Sequence, residues 1–158
     1  MNSAETLFEA ALEGDRRALA KLLTIAEEGG QMNTVDRKSS WVLGITGPPG
    51  AGKSTLIDRL ASNWSEKGDS IAILAVDPSS PVSGGALLGD RARMVFSDPS
   101  KIYFRSVSSR GSSGGISNGV RRMVEVLQSL GWDRILIETV GAGQGEFAIA
   151  SVADRVML

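Results

Sequence analysis

The stretch Gly47-Pro48-Pro49-Gly50-Ala51-Gly52-Lys53-Ser54, preceded by the apolar run Trp41-Val42-Leu43-Gly44-Ile45-Thr46, constrains this chain more than any other. Its spacing is G-x-x-x-x-G-K-[ST], a β-like run precedes it and a helical pattern follows, which is the context a phosphate-binding loop requires. Glycines let the backbone curl so that successive N–H groups point at phosphate oxygens, a geometry closed to most other residues. The positive end of the following helix adds to the attraction. Lys53 is expected to reach the β- and γ-phosphates as a point charge, and the Ser54 hydroxyl to ligate Mg2+. A plain strand-to-helix turn has no need of a Lys-Ser pair at this offset.

Composition narrows the chemistry further. The 158 residues suit one domain with a real core. With 17 basic and 18 acidic residues the net charge is -1, so no general attraction to nucleic acid or anionic membrane is expected. The chain has no Cys and no His. Disulfides, thiolate sites and imidazole bases are excluded, which leaves carboxylates, hydroxyls and backbone to hold a metal, as Mg2+ prefers. The missing Cys also fits a reducing, cytoplasmic setting. No apolar run approaches the roughly 18 residues of a membrane span, and Glu5, Glu9 and Glu13 are unlike a secretory or transit leader.

Along the chain, residues 3–28 read as two short helices, the second with Leu19, Leu22, Leu23 and Ala26 on one stripe, Asp15 as its cap and Gly29-Gly30 as its stop. Residues 31–40 read as a linker. After the phosphate loop, Leu56, Leu60 and Trp64 recur every four residues, and Gly68 closes the helix. Residues 70–76 form an apolar run of strand length, as in a parallel sheet covered on both faces. A long Ser/Pro/Gly-rich loop (77–89), a short helix (90–96) and a strand near 102–107 are expected next. Then come a Gly/Ser-rich loop (108–115), a helix through Val120, Met123, Val124 and Leu127, and a strand from Arg134 to Glu138. A loop from Val140, a short helix over 146–152 and a strand from Arg155 complete the pattern. The alternation predicts an α/β fold, a doubly wound and mostly parallel sheet with an N-terminal helical arm. The loops 47–54, 77–90, 108–115 and 138–145 each follow a strand, so all four converge on one edge.

Three carboxylates stand out on that edge. Glu138 closes an apolar strand as a Walker-B-like acid does, within reach of Mg2+ or its waters, and opens an E-x-x-G whose Gly141 N–H can sense the γ-phosphate. Asp77 follows a strand immediately, although capping the turn at Pro78 is a rival role. Asp90 is a third candidate, with capping of its own helix as the alternative. Arg93 and Arg110 are candidates for stabilising transition-state charge, and Gln144 for orienting water. Solvated surface roles compete with each.

Taken together, Gly44 to Leu56, Val76-Asp77-Pro78-Ser79-Ser80-Pro81, Gly84-Gly85, Leu88-Gly89-Asp90-Arg91, Arg93-Met94 and Glu138-Thr139-Val140-Gly141 resemble the MeaB/ArgK/MMAA family. These are P-loop GTPases of the signal-recognition-particle-like class that act as chaperones of adenosylcobalamin-dependent acyl-CoA mutases. The resemblance spans residues 41–157. It implies nucleotide contacts from Gly47, Pro48, Pro49, Gly50, Ala51, Gly52, Lys53, Ser54, Thr55 and Gly141. It implies a metal set of Ser54, Asp77, Asp90 and Glu138, and catalytic roles for Lys53, Asp90, Arg93 and Glu138. The implied ligands are GTP or GDP with Mg2+, and the implied partner is a mutase. A full-length homodimer is implied as well, with no nucleic acid and no membrane.

Two departures accompany the resemblance. Gly145 stands where the family usually has Ser. The N-K-x-D guanine-reading loop expected beyond Arg155, and the C-terminal dimerisation arm, do not occur in the sequence. The expected organisation is an arm and linker over 1–40 and an incomplete GTPase domain over 41–158, its sheet truncated at the C-terminus, as in the N-terminal part of a longer protein. Two other functions compete: a small P-loop ATPase or kinase, and a nucleotide-idle module that docks on the mutase.

Overall fold

Each apolar run becomes a strand because, in a sheet covered on both sides, every side chain of a central strand needs an apolar environment. The computed structural model describes residues 3–30, 40–77, 98, 100–108, 118–139 and 149–158. Among them, β1 (Trp41–Ile45), β2 (Ile71–Asp77), β3 (Ile102–Ser108), β4 (Arg134–Thr139) and β5 (Arg155–Met157) form one sheet in the order β3-β2-β4-β1-β5. Every neighbouring pair is parallel. The helices are α1 (Ser3–Leu12), α2 (Arg16–Glu28), α3 (Lys53–Glu66) and α4 (Asn118–Ser129). The doubly wound α/β reading holds. The linker over 31–39, the long loop after β2 and the helix over 90–96 lie outside the described residues, as do residues 140–148 and the expected loop over 108–115 except for Ser108, which ends β3.

Alternation along each strand divides the core in two. Ile71 and Ile73 of β2, Leu136 of β4 and Leu43 and Ile45 of β1 pack with Ile57 and Ala61 of α3. Ala72, Leu74 and Val76, with Ile135, Ile137 and Val42, face the other way, against α2 and α4. There Leu19, Leu22, Leu23 and Ala26, the stripe legible in the sequence, join Val120, Met123, Val124 and Leu127.

The helical arm is also fastened by polar contacts. Asp15 Oδ1 accepts from the N–H groups of Arg17 (2.8 Å) and Ala18 (3.2 Å), capping α2 as its sequence suggests. From β3, Arg105 donates to Ala20 O at 3.0 Å and pairs with Glu27 at 2.8 Å. Arg122 of α4 donates to Ala26 O at 2.8 Å.

The α3 stripe differs from the one the spacing suggested. The buried face is Ile57, Ala61 and Ser65, whereas Leu56 is 37% exposed and Leu60 and Trp64 pack at the rim. The phase of α3 is set at its first turn. With Ser54 turned toward β4, positions i+3, i+7 and i+11 fall on the sheet, which are residues 57, 61 and 65. Ser65 tolerates burial because its hydroxyl donates to Ser62 O at 2.9 Å.

Gly44 marks a close approach. A methyl group there would lie 2.6 Å from the Cδ1 and Cγ1 atoms of Ile149, which sits over β1 on the α4 side. This lets the chain following β4 come down onto the strand that feeds the phosphate loop.

Candidate functional site

Because the sheet is parallel, the ends of β1, β2, β3 and β4 lie along one edge, and register fixes their order. Ile45, the last residue of β1, pairs with Glu138, which also pairs with Ala75. Asp77 ends β2 opposite Ser108 of β3. The residue before the phosphate loop's Thr46 therefore lies beside the strand-end carboxylate, separated from it by strand spacing alone.

The loop has the backbone the motif demands. Gly47, Gly50 and Gly52 have φ of 146°, 79° and 90°. Among the described residues nothing lies within 4 Å of a Cβ added at Gly50 or Gly52, so it is the left-handed conformation that calls for glycine there. Pro48, Pro49, Gly50, Ala51 and Gly52 are exposed, while Gly47 is buried at the strand end. No side chain at Gly52 caps α3. The first N–H groups of the helix, including those of Lys53, Ser54 and Thr55, precede its first internal hydrogen bonds and are oriented as anion donors.

Two side chains organise the space above the loop. Lys53 Nζ donates to Gly47 O at 2.8 Å and to Pro48 O at 3.0 Å, so the ammonium is folded across its own loop. Ser54 Oγ donates to Glu138 Oε1 at 3.0 Å, joining residues 84 positions apart. Alternation puts Glu138 on the same sheet face as Leu136, the α3 face, which is why the two meet. A hydroxyl and a carboxylate in contact are hard oxygen ligands and suit Mg2+. Among the described residues no group of three or more His, Cys, Asp or Glu is placed to enclose a metal.

Of the residues singled out from the sequence, the structure brings Gly47 through Thr55 and Glu138 together and sets Asp77 on the same edge. Asp90, Arg93, Arg110, Gly141 and Gln144 lie outside the described residues. Two residues that the motif reading passed over stand out. Thr46 and Thr139 are 2% and 3% exposed, and neither Oγ1 has a hydrogen-bond partner among the described residues. The signal in the sequence was a hydroxyl residue ending each of two apolar strands, beside Gly47 and Glu138.

Comparison with known proteins extends this geometry. The family model described as "Methylmalonyl Co-A mutase-associated GTPase MeaB" matches residues 3–158. A Pyrococcus horikoshii protein named as a candidate GTPase is 44% identical over 167 residues, covering 100% of this chain and 52% of its own length. The fused isobutyryl-CoA mutase of Geobacillus kaustophilus is 42% identical over 154 residues, covering 96% of this chain and 14% of that protein. A crystal structure of an LAO/AO transport system kinase superposes with a TM-score of 0.71 at 26% identity, over 99% of this chain and 50% of its own. The chain spans about half the length of the first curated relatives it matches.

Proposed function

Because the chain belongs to the family of methylmalonyl-CoA mutase-associated GTPases, MeaB, we propose that it carries the phosphate-binding half of a site that binds and hydrolyses GTP. The observation that carries the reading is the Ser54–Glu138 contact. It joins the helix after the loop to the strand-end acid, the pairing on which Mg2+-dependent phosphoryl transfer relies. When bound, Mg2+ supplies a Lewis acid that offsets phosphate charge, and Ser54 and Glu138, with Asp77 and Asp90, are the residues to hold it or its waters.

The remaining work falls to the chain's own groups. Loop and helix N–H groups hold the phosphate oxygens. Lys53 exchanges its two carbonyl contacts for phosphate oxygens, placing a positive charge where the β–γ bridge breaks. Water adds to the γ-phosphorus as the bond to the bridging oxygen cleaves, and GDP and inorganic phosphate leave. Positioning and electrostatics suffice, with no covalent intermediate. Arg93 is assigned to the developing charge, and the Gly141 N–H to the γ-phosphate.

The fused mutase supports the partner, since a segment similar to this chain accompanies a mutase in one polypeptide. We therefore assign the nucleotide cycle to assisting an adenosylcobalamin-dependent acyl-CoA mutase, in a homodimeric full-length protein. The kinase named in the solved structure favours a second reading, an ATP-using phosphotransferase. Titrating the full gene product with labelled GTP and ATP in Mg2+ decides between them. GTP selectivity is expected; ATP selectivity would move the assignment to the second reading, and binding of neither would leave only a docking module.

A further inference from the structure

The described β1–β4 pairing ends at Ile45 and Glu138. One row further on, the Thr46 N–H turns to Met157 O of β5 at 3.0 Å, while Thr139 is paired with Val76 of β2. The last described row of this ladder thus lies where one strand leads into the phosphate loop and the other has just presented its carboxylate. The residues in that row are Thr46 and Thr139. By alternation both side chains lie on the face of Val42, Ile135 and Ile137, opposite Ser54 and Glu138. Both hydroxyls are buried, and they are not bonded to each other.

A buried hydroxyl keeps its place only with a polar partner, and valine would fill either position with the same shape. Facing threonines on neighbouring strands can bond directly, but neither hydroxyl does so here, and the strand spacing of about 4.8 Å is near the span bridged by one water. We infer that Thr46 and Thr139 hold one internal water between β1 and β4, and that through it they act as positioning residues fixing the phosphate loop against Glu138. The row offers two hydroxyls beside the buried apolar residues Val42, Ile135 and Ile137 of the same face, a setting in which an ordered internal water satisfies both. The positioning role rests on the GTPase reading; the water does not.

A high-resolution crystal structure of the full gene product without nucleotide is expected to show a water within about 3.2 Å of both Oγ1 atoms. Hydroxyls bonded elsewhere, with no shared water, would overturn the inference. Thr139→Val is expected to lower kcat for GTP about tenfold, with KM changed less than twofold and the melting temperature unchanged or raised. Thr139→Ser, which keeps the hydroxyl, should return kcat to within about twofold of wild type. A Thr139→Val protein that melts higher and turns over at the wild-type rate would make the pair merely structural and overturn the positioning role. Wild-type protein that binds the water yet hydrolyses no GTP would instead remove the functional reading.

Discussion

At the amino end of the sheet, polar side chains are paired with one another. Asp133 accepts from both the N–H and the hydroxyl of Ser70, each at 2.8 Å, and Ser40 Oγ donates to Trp132 O. Arg134 pairs with Asp69 at 2.9 Å while its guanidinium lies 5.7 Å and 5.5 Å from the ring centres of Trp41 and Trp64. At the carboxyl end, the Ser54–Glu138 contact apart, the pattern reverses. The Thr46 and Thr139 hydroxyls lack partners among the described residues, the glycines hold left-handed backbone, and Lys53 donates to carbonyls of its own loop. One end closes on itself and supplies stability. The other keeps the loop and helix N–H groups and Lys53 in reserve for a ligand, and the stability of the rest of the sheet holds it in shape.

This contrast breaks if substitutions at the two ends have the same consequences. The largest expected effect is Lys53→Ala, which should weaken nucleotide binding or turnover about a thousandfold, roughly 4 kcal/mol, with little change in melting temperature. Unchanged affinity and rate by nucleotide titration would remove Lys53 from the site. Next is Gly44→Ala, which drives a methyl group into Ile149 and should cost about 2 kcal/mol in denaturant unfolding. Adding Ile149→Ala should recover part of that loss if the clash is its cause. At the amino end, Asp133→Ala should cost about 1 kcal/mol of stability and leave nucleotide affinity within twofold. Smallest is Arg134→Ala. Its ion pair is about a third exposed, so unfolding should detect a loss of only about 0.5–1 kcal/mol, including its contact with the tryptophan rings. An amino-end variant that altered nucleotide affinity tenfold would show the two ends to be coupled.

Most of the fold was legible because its signals are local. The runs over 41–45, 71–76 and 134–138 are long enough and apolar enough to be buried strands, and Asp15 and Gly29 bracket α2. The phosphate loop was legible because its backbone needs glycine at fixed places. The α3 face was misplaced by one position, since Leu56, Leu60 and Trp64 are the larger apolar residues. Pattern reading follows size, whereas the helix follows the phase imposed by Ser54. The pairing of Ser54 with Glu138 was expected only in outline, because nothing local to either residue specifies that β4, and not β2, lies next to β1.

By itself, then, the sequence determined the element types, the glycine-bearing loop, the oxygen-only ligand set that follows from lacking Cys and His, and the family to which those motifs point. These depend on neighbours along the chain and on composition. Only the tertiary structure decided the strand order, the face that α3 buries, the meeting of Ser54 and Glu138 across 84 residues, and the burial of Thr46 beside Thr139. Each of those is a long-range pairing, set by how the two core layers close over the sheet.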